Sequence, residues 1–187
     1  ASVFLSKTDR YIESLAGALF TADALRVFSL TDDLLMANFW SLCGNWWYGA
    51  ISHEGHPRPQ FHVLEAYREL ARGALLHSEL TGVLTMPTAR SGFVPEQAAV
   101  PTLEAHATRS GGAVRVAVIN KHPQQSQTLG LDVRDLGRAR ASARVLGAQH
   151  YFGAPVSWSD RPVEIRDGRA SIEMPRHSFA LIRIDAN

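Results

Sequence analysis

Six residues in the first half of the chain have side chains suited to binding a sugar. Four of them are aromatic and lie within the nine positions 40–48, and two are asparagines: Asn38, Trp40, Asn45, Trp46, Trp47 and Tyr48. The C–H faces of a saccharide pack on aromatic rings, while its hydroxyl groups need amide or carboxyl partners. The segment therefore predicts a saccharide subsite. The alternative, which the residues leave open, is that the rings cover a junction between two parts of the fold, with Trp40 the first candidate for a core position.

Two other groups of residues have the types, but not the context, of a reactive site. The segment His53-Glu54-Gly55-His56 carries metal-ligand residue types, but its Gly and Pro neighbours predict a solvated loop that does not aim both rings at one ion. Ser178, His177 and Asp160 have the residue types of a hydrolase triad. However, His177 adjoins the serine on a predicted strand, where neighbouring side chains point to opposite faces. We therefore assign no catalytic residue, metal or cofactor to this chain.

The charge distribution argues against a nucleic-acid partner. The chain of 187 residues has a formal net charge of +1, and its densest basic group is interrupted by two aspartates: Asp132, Arg134, Asp135, Arg138, Arg140 and Arg144. Interspersed charges of both signs are typical of a solvated surface, whereas phosphate-binding faces concentrate positive charge. No nucleic-acid binding is expected.

Cysteine content and hydropathy exclude several further classes. Cys43 is the single cysteine, so no disulfide and no cysteine zinc site forms within one chain, and a buried thiol is expected. No apolar run approaches the ~20 residues that span a membrane. The segment Ala1–Ser6 lacks the basic start and the long apolar core of a signal peptide, and it lacks a starting Met. We therefore expect a piece of a longer protein and leave its compartment open.

The first part of the chain predicts a helix, a strand and a second helix. Apolar residues recur at helical spacing from about Thr8 to Ser29, and Ser6 is placed to cap that helix. The nearly continuous apolar run from Leu34 to Leu42 predicts a strand buried on both faces, as in a parallel sheet. A second helix is expected from Pro59 to about Arg72, followed by Gly73. This order is the repeating unit of an α/β barrel.

After Gly73 the apolar period changes to two, which predicts about eight short strands. The expected strands are Leu75–Leu84, Thr102–Thr108, Ala113–Asn120, Ser126–Val133, Ala139–Gly147, Val163–Arg166, Arg169–Met174 and Ser178–Ile184. Gly111-Gly112 and Asp167-Gly168 have the turn chemistry of tight hairpins. With one apolar face on each strand, the pattern predicts two packed antiparallel sheets.

Two motifs carry a resemblance to a known family. Val118-Ile119-Asn120-Lys121-His122-Pro123 ends one strand, and Met174-Pro175-Arg176-His177-Ser178-Phe179-Ala180-Leu181-Ile182 begins the last. In this order, and after the helix–strand–helix start, they resemble the C-terminal region of the α-L-arabinofuranosidases of glycoside hydrolase family 51. The resemblance implies that residues 1–73 are the end of a (β/α)8 barrel and residues 74–187 a C-terminal β-sandwich.

The resemblance implies a role without catalysis for this portion. Family members use two glutamates ~5 Å apart across the sugar, and both would precede Ala1. Glu13, Glu65 and Glu69 are expected on helix surfaces, with Arg68 and Arg72 near the last two, and Glu104, Glu164 and Glu173 are expected to face water from strands. The parent enzyme is expected to act on arabinose-containing saccharides. This portion is expected to dock on the missing barrel or to self-associate through Leu15, Leu19 and Leu35. The alternative function is a stand-alone carbohydrate-binding module.

The resemblance also has a departure. Many family members carry a glutamine-rich, substrate-contacting stretch where this chain has Asn38–Tyr48. The substrate preference therefore stays open.

Overall fold

The computed structural model describes residues 11–43, 49–137 and 139–186. Two α-helices of three or more turns, one 3-10 helix (Arg134–Leu136) and eleven strands lie within these ranges. The helices are α1 (Leu15–Ser29) and α2 (Pro59–Leu70). The strands are β1 (Ala74–Leu76), β2 (Thr85–Thr88), β3 (Gln97–Pro101), β4 (Leu103–Ser110), β5 (Ala113–Asn120), β6 (Gln127–Asp132), β7 (Ala139–Gly147), β8 (Ser157–Arg161), β9 (Glu164–Arg166), β10 (Arg169–Met174) and β11 (Ser178–Ala186).

The strands form an antiparallel sandwich, as the period of two predicts. A six-stranded sheet has the order β1-β4-β5-β11-β7-β8, a three-stranded sheet has the order β6-β10-β9, and β2 and β3 form a separate hairpin. One buried cluster contains Val114, Val116 and Val118 of β5. It also contains Leu129, which lies on β6, and Val133, which comes directly after β6. The two sheets are therefore joined face to face by the residues that the alternation places on one side.

The second face of the large sheet is covered by the helices. Ala117 and Ile119 of β5 and Phe179 and Leu181 of β11 belong to a second buried cluster that includes α1 and α2 residues, of which Leu15 is one. The expectation of one apolar face for each strand is therefore wrong for β5 and β11. These two central strands are apolar on both faces because a layer packs on each side of them.

The helices form where predicted, with shorter bounds. Residues 11 and 12 are helical, a turn follows at Glu13 and Ser14, and α1 then runs to Ser29. The predicted start at Thr8 and the Ser6 cap lie outside the described residues. Helix α2 begins at Pro59, as expected for a residue whose missing N–H is not needed in the first turn. Gly73 follows α2 and lies close to β4, so that a Cβ at this position would be only 2.9 Å from the Thr108 Cβ. Only glycine, which has no Cβ, avoids this clash.

The predicted buried strand Leu34–Leu42 is wrong. Residues 34–40 have no regular structure and are exposed, with Leu35 98% accessible. A strand buried on both faces needs strands beside it and layers above and below it. None of the described strands pairs with this segment, and the isolated bridge between Cys43 and Ile51 lies just after it. Cys43 is exposed, so the expected buried thiol is also wrong.

The predicted strand Leu75–Leu84 is largely wrong, and three strands were not predicted. Only Ala74–Leu76 pairs with β4, and in the residues that follow, Leu80 and Val83 pack on the core of the sandwich without forming a strand. Strands β2 and β3 contain prolines and pair with each other, outside the two larger sheets, where a missing N–H is tolerated. Strand β8 is polar and lies at an edge, so it has no apolar alternation to reveal it.

Both predicted hairpins are confirmed. Ser110 pairs with Ala113 across Gly111-Gly112, and Arg166 pairs with Arg169 across Asp167-Gly168. Asp167 and Gly168 have φ values of 49° and 71°, the two positive angles that a type I′ turn requires.

Candidate functional site

The surface formed by α1 and the segment after it is strongly apolar and exposed. We call it the exposed apolar face, and it comprises Phe20, Val27, Phe28, Leu30, Leu34, Leu35, Met36, Phe39, Trp40 and Leu42. It forms because α1 turns its other side, with Leu15, Ala18, Leu19 and Ala22, toward α2 and the large sheet. The helix is apolar nearly all round, which is typical of a helix covered on both sides.

An apolar pocket lies within this face. Its volume is about 310 Å³, and its lining includes Phe20, Phe28, Asn38, Phe39 and Trp40. Aromatic walls with one amide group suit the C–H faces and hydroxyls of a sugar ring. The same walls also suit an apolar side chain from another protein surface.

The structure locates two of the six predicted sugar-binding residues. Asn38 and Trp40 both line the apolar pocket, and Trp40 is 72% accessible, so it is not the core residue considered above. Asn45, Trp46, Trp47 and Tyr48 lie outside the described residues. The described residues before and after them are joined, because the Ala50 N–H donates to the Ser41 carbonyl at 3.0 Å and the Ile51 N–H to the Leu42 carbonyl at 2.9 Å.

A second cleft, lined by charged and apolar side chains, lies at the start of α2. It measures about 540 Å³ and is lined by Glu13, Glu54, His56, Arg58 and His62, among others. Arg58 is buried and donates from Nη1 to the Gly49 carbonyl at 2.8 Å, while its Nε lies 3.3 Å from Glu13. The guanidinium therefore fixes the loop that leads into α2.

The His53–His56 segment is an exposed turn, as predicted. The Ser52 N–H donates to the His56 carbonyl, and the His56 N–H returns to the Ser52 hydroxyl at 3.2 Å. A hydrogen bond with Ser52 lowers the pKa of Glu54. Within the described ranges, no group of three or more His, Cys, Asp or Glu side chains could hold a metal ion.

A charged network joins α1 to the large sheet. Arg26 contacts Asp23 at 2.9 Å and Glu104 at 3.3 Å, and Lys121 contacts the same two carboxylates at 3.1 and 3.5 Å. The expectation that Glu104 faces water is wrong, because α1 covers this side of β4. Two carboxylates are thus close together, but each is neutralised by two cations, which is a structural arrangement and not an acid and a nucleophile.

Next to this network lies a buried aromatic stack. The Tyr67 ring stacks on His106 at 5.3 Å and on Phe179 at 6.1 Å, and its hydroxyl donates to the Ala22 carbonyl at 2.7 Å. His106 is 1% accessible, and its Nδ1 has no hydrogen-bond partner among the described residues. Burial, reinforced by the nearby charge of Arg26, lowers the pKa of His106 to about 4.

The Asn120–Pro123 corner is a structural junction. The two N–H groups of the Asn120 amide are shared among the carbonyls of Gln125, Met174 and Pro175, which lie 2.9–3.1 Å from Nδ2, and its Oδ1 accepts from Gln127. His122 Nδ1 accepts the N–H groups of Gln124 and Gln125, which closes the turn and makes His122 the turn residue that its position before Pro123 suggests.

The other candidate side chains also have structural roles. The Ser178 hydroxyl donates to the Pro175 carbonyl at 2.6 Å, so it is part of the turn before β11 and not a nucleophile. Glu69 pairs with Arg144 of β7 at 2.7 Å instead of with a helix neighbour. Leu15 and Leu19 are buried within the chain, so the predicted association through them is wrong, whereas Leu35 is exposed. No described helix is long and apolar enough to span a membrane.

Comparison with solved structures gives the fold. The family 51 arabinofuranosidase of Xanthomonas axonopodis pv. citri matches 92% of this chain with a TM-score of 0.75 and 20% identity. The α-L-arabinofuranosidase of Thermotoga maritima, in its arabinose complex, matches 92% with a TM-score of 0.73 and 18% identity. This chain has the fold of a portion of these arabinofuranosidases. It spans only 36% and 38% of the two enzymes.

The same fold also occurs with another activity. The family 30 subfamily 8 xylanase of Clostridium acetobutylicum matches 93% of this chain at a TM-score of 0.64 and 11% identity. No protein-family model and no curated protein matches the sequence. The predicted resemblance is therefore confirmed at the level of the fold.

Proposed function

We propose that this chain is the C-terminal, non-catalytic portion of an α-L-arabinofuranosidase-like glycoside hydrolase that removes terminal arabinofuranosyl residues. Residues 1–73 would belong to the end of its catalytic barrel, and residues 74–187 would form the supporting sandwich. The rest of the enzyme would supply the two catalytic glutamates that the resemblance implies.

The exposed apolar face is the observation that carries this proposal. It contains ten large apolar side chains, of which Leu35 is 98% and Met36 72% accessible. Soluble monomers rarely expose a contiguous apolar patch of more than a few hundred Å². Docking on further elements of the catalytic barrel would cover the side chains that the described residues leave exposed.

The test compares two proteins on one substrate. The longest reading frame that contains this chain should release arabinose from a chromogenic α-L-arabinofuranoside, and the 187-residue chain alone should not. Hydrolysis by the purified chain alone, in proportion to its concentration, would contradict a non-catalytic portion. A longer product that leaves every arabinofuranoside intact would contradict the proposed parent activity.

Substitutions in the apolar face provide a second test. Leu35→Ser and Met36→Ser are expected to destabilise the longer protein, because those side chains would be buried there, and to leave the chain alone unchanged in stability. The exposed Phe152 provides a matched control, since Phe152→Ser removes an apolar side chain from another part of the surface. Equal effects of the three substitutions on the longer protein would contradict docking through this face.

A stand-alone carbohydrate-binding module is the second candidate. The pocket lined by Asn38 and the 72% accessible Trp40 favours it. Asn45, Trp46, Trp47 and Tyr48 complete the set of proposed contacts. Calorimetric titration of the chain with arabino-oligosaccharides should then give heat that Trp40→Ala or Trp46→Ala removes. If no heat were released at millimolar sugar, the carbohydrate-binding module would be contradicted, and the supporting role in a larger enzyme would remain.

A further inference from the structure

The hairpin formed by β2 and β3 carries the most exposed aromatic residue of the described chain. Its tip is Ser91-Gly92-Phe93-Val94, closed by paired backbone hydrogen bonds of 3.0 Å between Ser91 and Val94. Phe93 has an accessibility of 105% and Val94 of 60%. Among the described strands, β2 and β3 pair only with each other, so the hairpin is not part of either sheet of the sandwich. We call residues 85–101 the arm.

An apolar cavity opens between the two sheets of the sandwich. Its volume is about 360 Å³, and its walls are formed by side chains of both sheets, including Val114, Val116, Leu131 and Ile184. A protein cavity of roughly 150 Å³ already accepts a benzene ring. The space between the sheets is therefore large enough for one phenylalanine side chain.

The arm and the cavity lie at opposite ends of the sandwich. The arm leaves and rejoins the sandwich where the Thr102 N–H donates to the Leu84 carbonyl, next to Asn120 at the end of β5. The cavity is lined by Val114 and Ile184, which pair with each other near the other end of β5. Two copies side by side in antiparallel orientation would therefore place each arm beside the cavity of its partner.

The charges around Phe93 and around the cavity are complementary. Arg90 lies three residues before Phe93 and Glu96 three residues after it. The titratable side chains that line the cavity besides the buried His106 are three carboxylates, one guanidinium and one imidazole: Glu79, Asp132, Asp135, Arg109 and His77. Arg90 can therefore face one of these carboxylates while Glu96 faces Arg109, and each arm then brings one charge of each sign to its counterpart.

We propose that two copies of this chain pair about a twofold axis by exchanging their arms, with Phe93 of each copy inserted into the cavity between the sheets of the other. A twofold interface uses the same surface on both copies, so each contact occurs twice and the assembly closes as a dimer. Large aromatic side chains that fill a pocket dominate such interfaces. The arm dimer is independent of the exposed apolar face and goes beyond the proposed function.

Sedimentation of the purified chain at increasing concentration tests this dimer. The measurement is made on a chain carrying Leu35→Ser and Met36→Ser, so that association through the exposed apolar face does not contribute. A concentration-dependent dimer is expected, and Phe93→Ser should raise its dissociation constant by about thirty-fold or more, the range of an interface hot spot. Phe152→Ser, at another exposed phenylalanine, should leave the dimer unchanged.

A charge exchange identifies the contact. Arg90→Glu and Asp135→Arg should each weaken the dimer, and the double variant should recover part of the loss, because the reversed pair restores the attraction. At protein concentrations below the dimer dissociation constant, urea unfolding should be the same for Phe93→Ser as for its parent, since the side chain is exposed in the single chain. A chain that stays monomeric, a dimer that keeps its affinity in Phe93→Ser, or a double variant as weak as the sum of the single ones would overturn the proposal.

Discussion

The Nδ2 atom of Asn120 lies 2.9 Å from the carbonyl oxygen of Pro175, so the end of β5 holds the turn that begins β11. The same amide reaches Gln125 and Met174, and its oxygen accepts from the Gln127 side chain and the His122 N–H. One buried side chain thus connects the large sheet, the small sheet and two turns. The corner that carries the family resemblance is explained by this hydrogen-bonding role.

Replacing Asn120 should strongly destabilise the fold. Asn120→Ala removes an amide that is fully buried and leaves several carbonyls without a donor. Each buried group that loses its partner costs about 1–3 kcal/mol, so we expect the free energy of unfolding to fall by about 3 kcal/mol or more. Urea denaturation followed by circular dichroism measures this loss.

Gln127→Ala serves as the control for that variant, because it removes a donor to Asn120 but leaves the three carbonyl contacts in place. It should cost about 1 kcal/mol. If the two variants were equally stable, Asn120 would not be the centre of this junction.

His106 should make the stability of the fold depend on pH. Its pKa is lowered from 6.5 to about 4 in the folded state by burial and by the nearby charge of Arg26. The unfolded chain therefore binds the proton first, and stability is lost as the pH falls from about 6.5 to about 4. The difference of about 2.5 pKa units corresponds to about 3 kcal/mol at the lower end of this window.

His106→Phe tests this dependence while keeping an aromatic ring against Tyr67. Urea unfolding at pH 7.0, about 5.5 and about 4.5 should show a flatter pH dependence for the variant than for the parent, because the titrating group is gone. His177→Gln is the matched control at a second buried histidine whose pKa is also lowered. Identical pH profiles for His106→Phe and the parent would refute the assignment.

The charged network between α1 and the large sheet should contribute more than a surface ion pair. Glu104→Gln leaves Arg26 and Lys121 with Asp23 as their one remaining carboxylate in the network. The side chains are 15–29% accessible, so we expect a loss of about 1–2 kcal/mol, between the values for exposed and buried pairs.

The exposed pair of Glu164 and Arg166 provides the comparison for Glu104. Glu164→Gln should change the free energy of unfolding by about 0.5 kcal/mol or less. A double-mutant cycle of Glu104→Gln with Arg26→Met would isolate the coupling energy. A coupling near zero would show that α1 is held by apolar contacts alone.

Two leucines of the first part of the chain should respond in opposite ways to truncation. Leu19 is 3% accessible and packs between the helices and the sheet, so Leu19→Ala should cost about 2–4 kcal/mol. Leu35 is 98% accessible, so Leu35→Ala should cost about 0.5 kcal/mol or less in the isolated chain. Binding of a fluorescent apolar dye should fall in Leu35→Ala, and an unchanged signal would show that this side chain does not contribute to the exposed apolar face.

The elements that the sequence predicts correctly are those whose conformation is set by neighbouring residues. Asp167-Gly168 forms its hairpin turn because those two residues accept positive φ, and Pro59 starts α2 because its missing N–H is harmless there. The alternation of Val114, Val116 and Val118 gives the core face of β5 without knowledge of any partner strand. Each of these features is decided within a few residues.

The predictions that were wrong concern segments whose structure depends on residues far away in the chain. The run Leu34–Leu42 reads as a buried strand, but none of the described strands pairs with it. The residues after Leu76 are apolar because Leu80 and Val83 cover the core, not because they form a ladder. In the candidate site, the sequence identifies Asn38 and Trp40, while their pocket with Phe20 and Phe28 arises from the position of α1.

The sequence by itself determined the sandwich, its two tight hairpins and the resemblance to arabinofuranosidases, because alternation, turn residues and short motifs are properties of neighbouring residues. Only the tertiary structure decided that helices cover the second face of β5 and β11, that Glu104 is ion-paired and that Asn120 joins both sheets. These features require contacts between residues far apart in the chain, such as Asn120 and Met174. Their energies depend on burial that no single segment specifies.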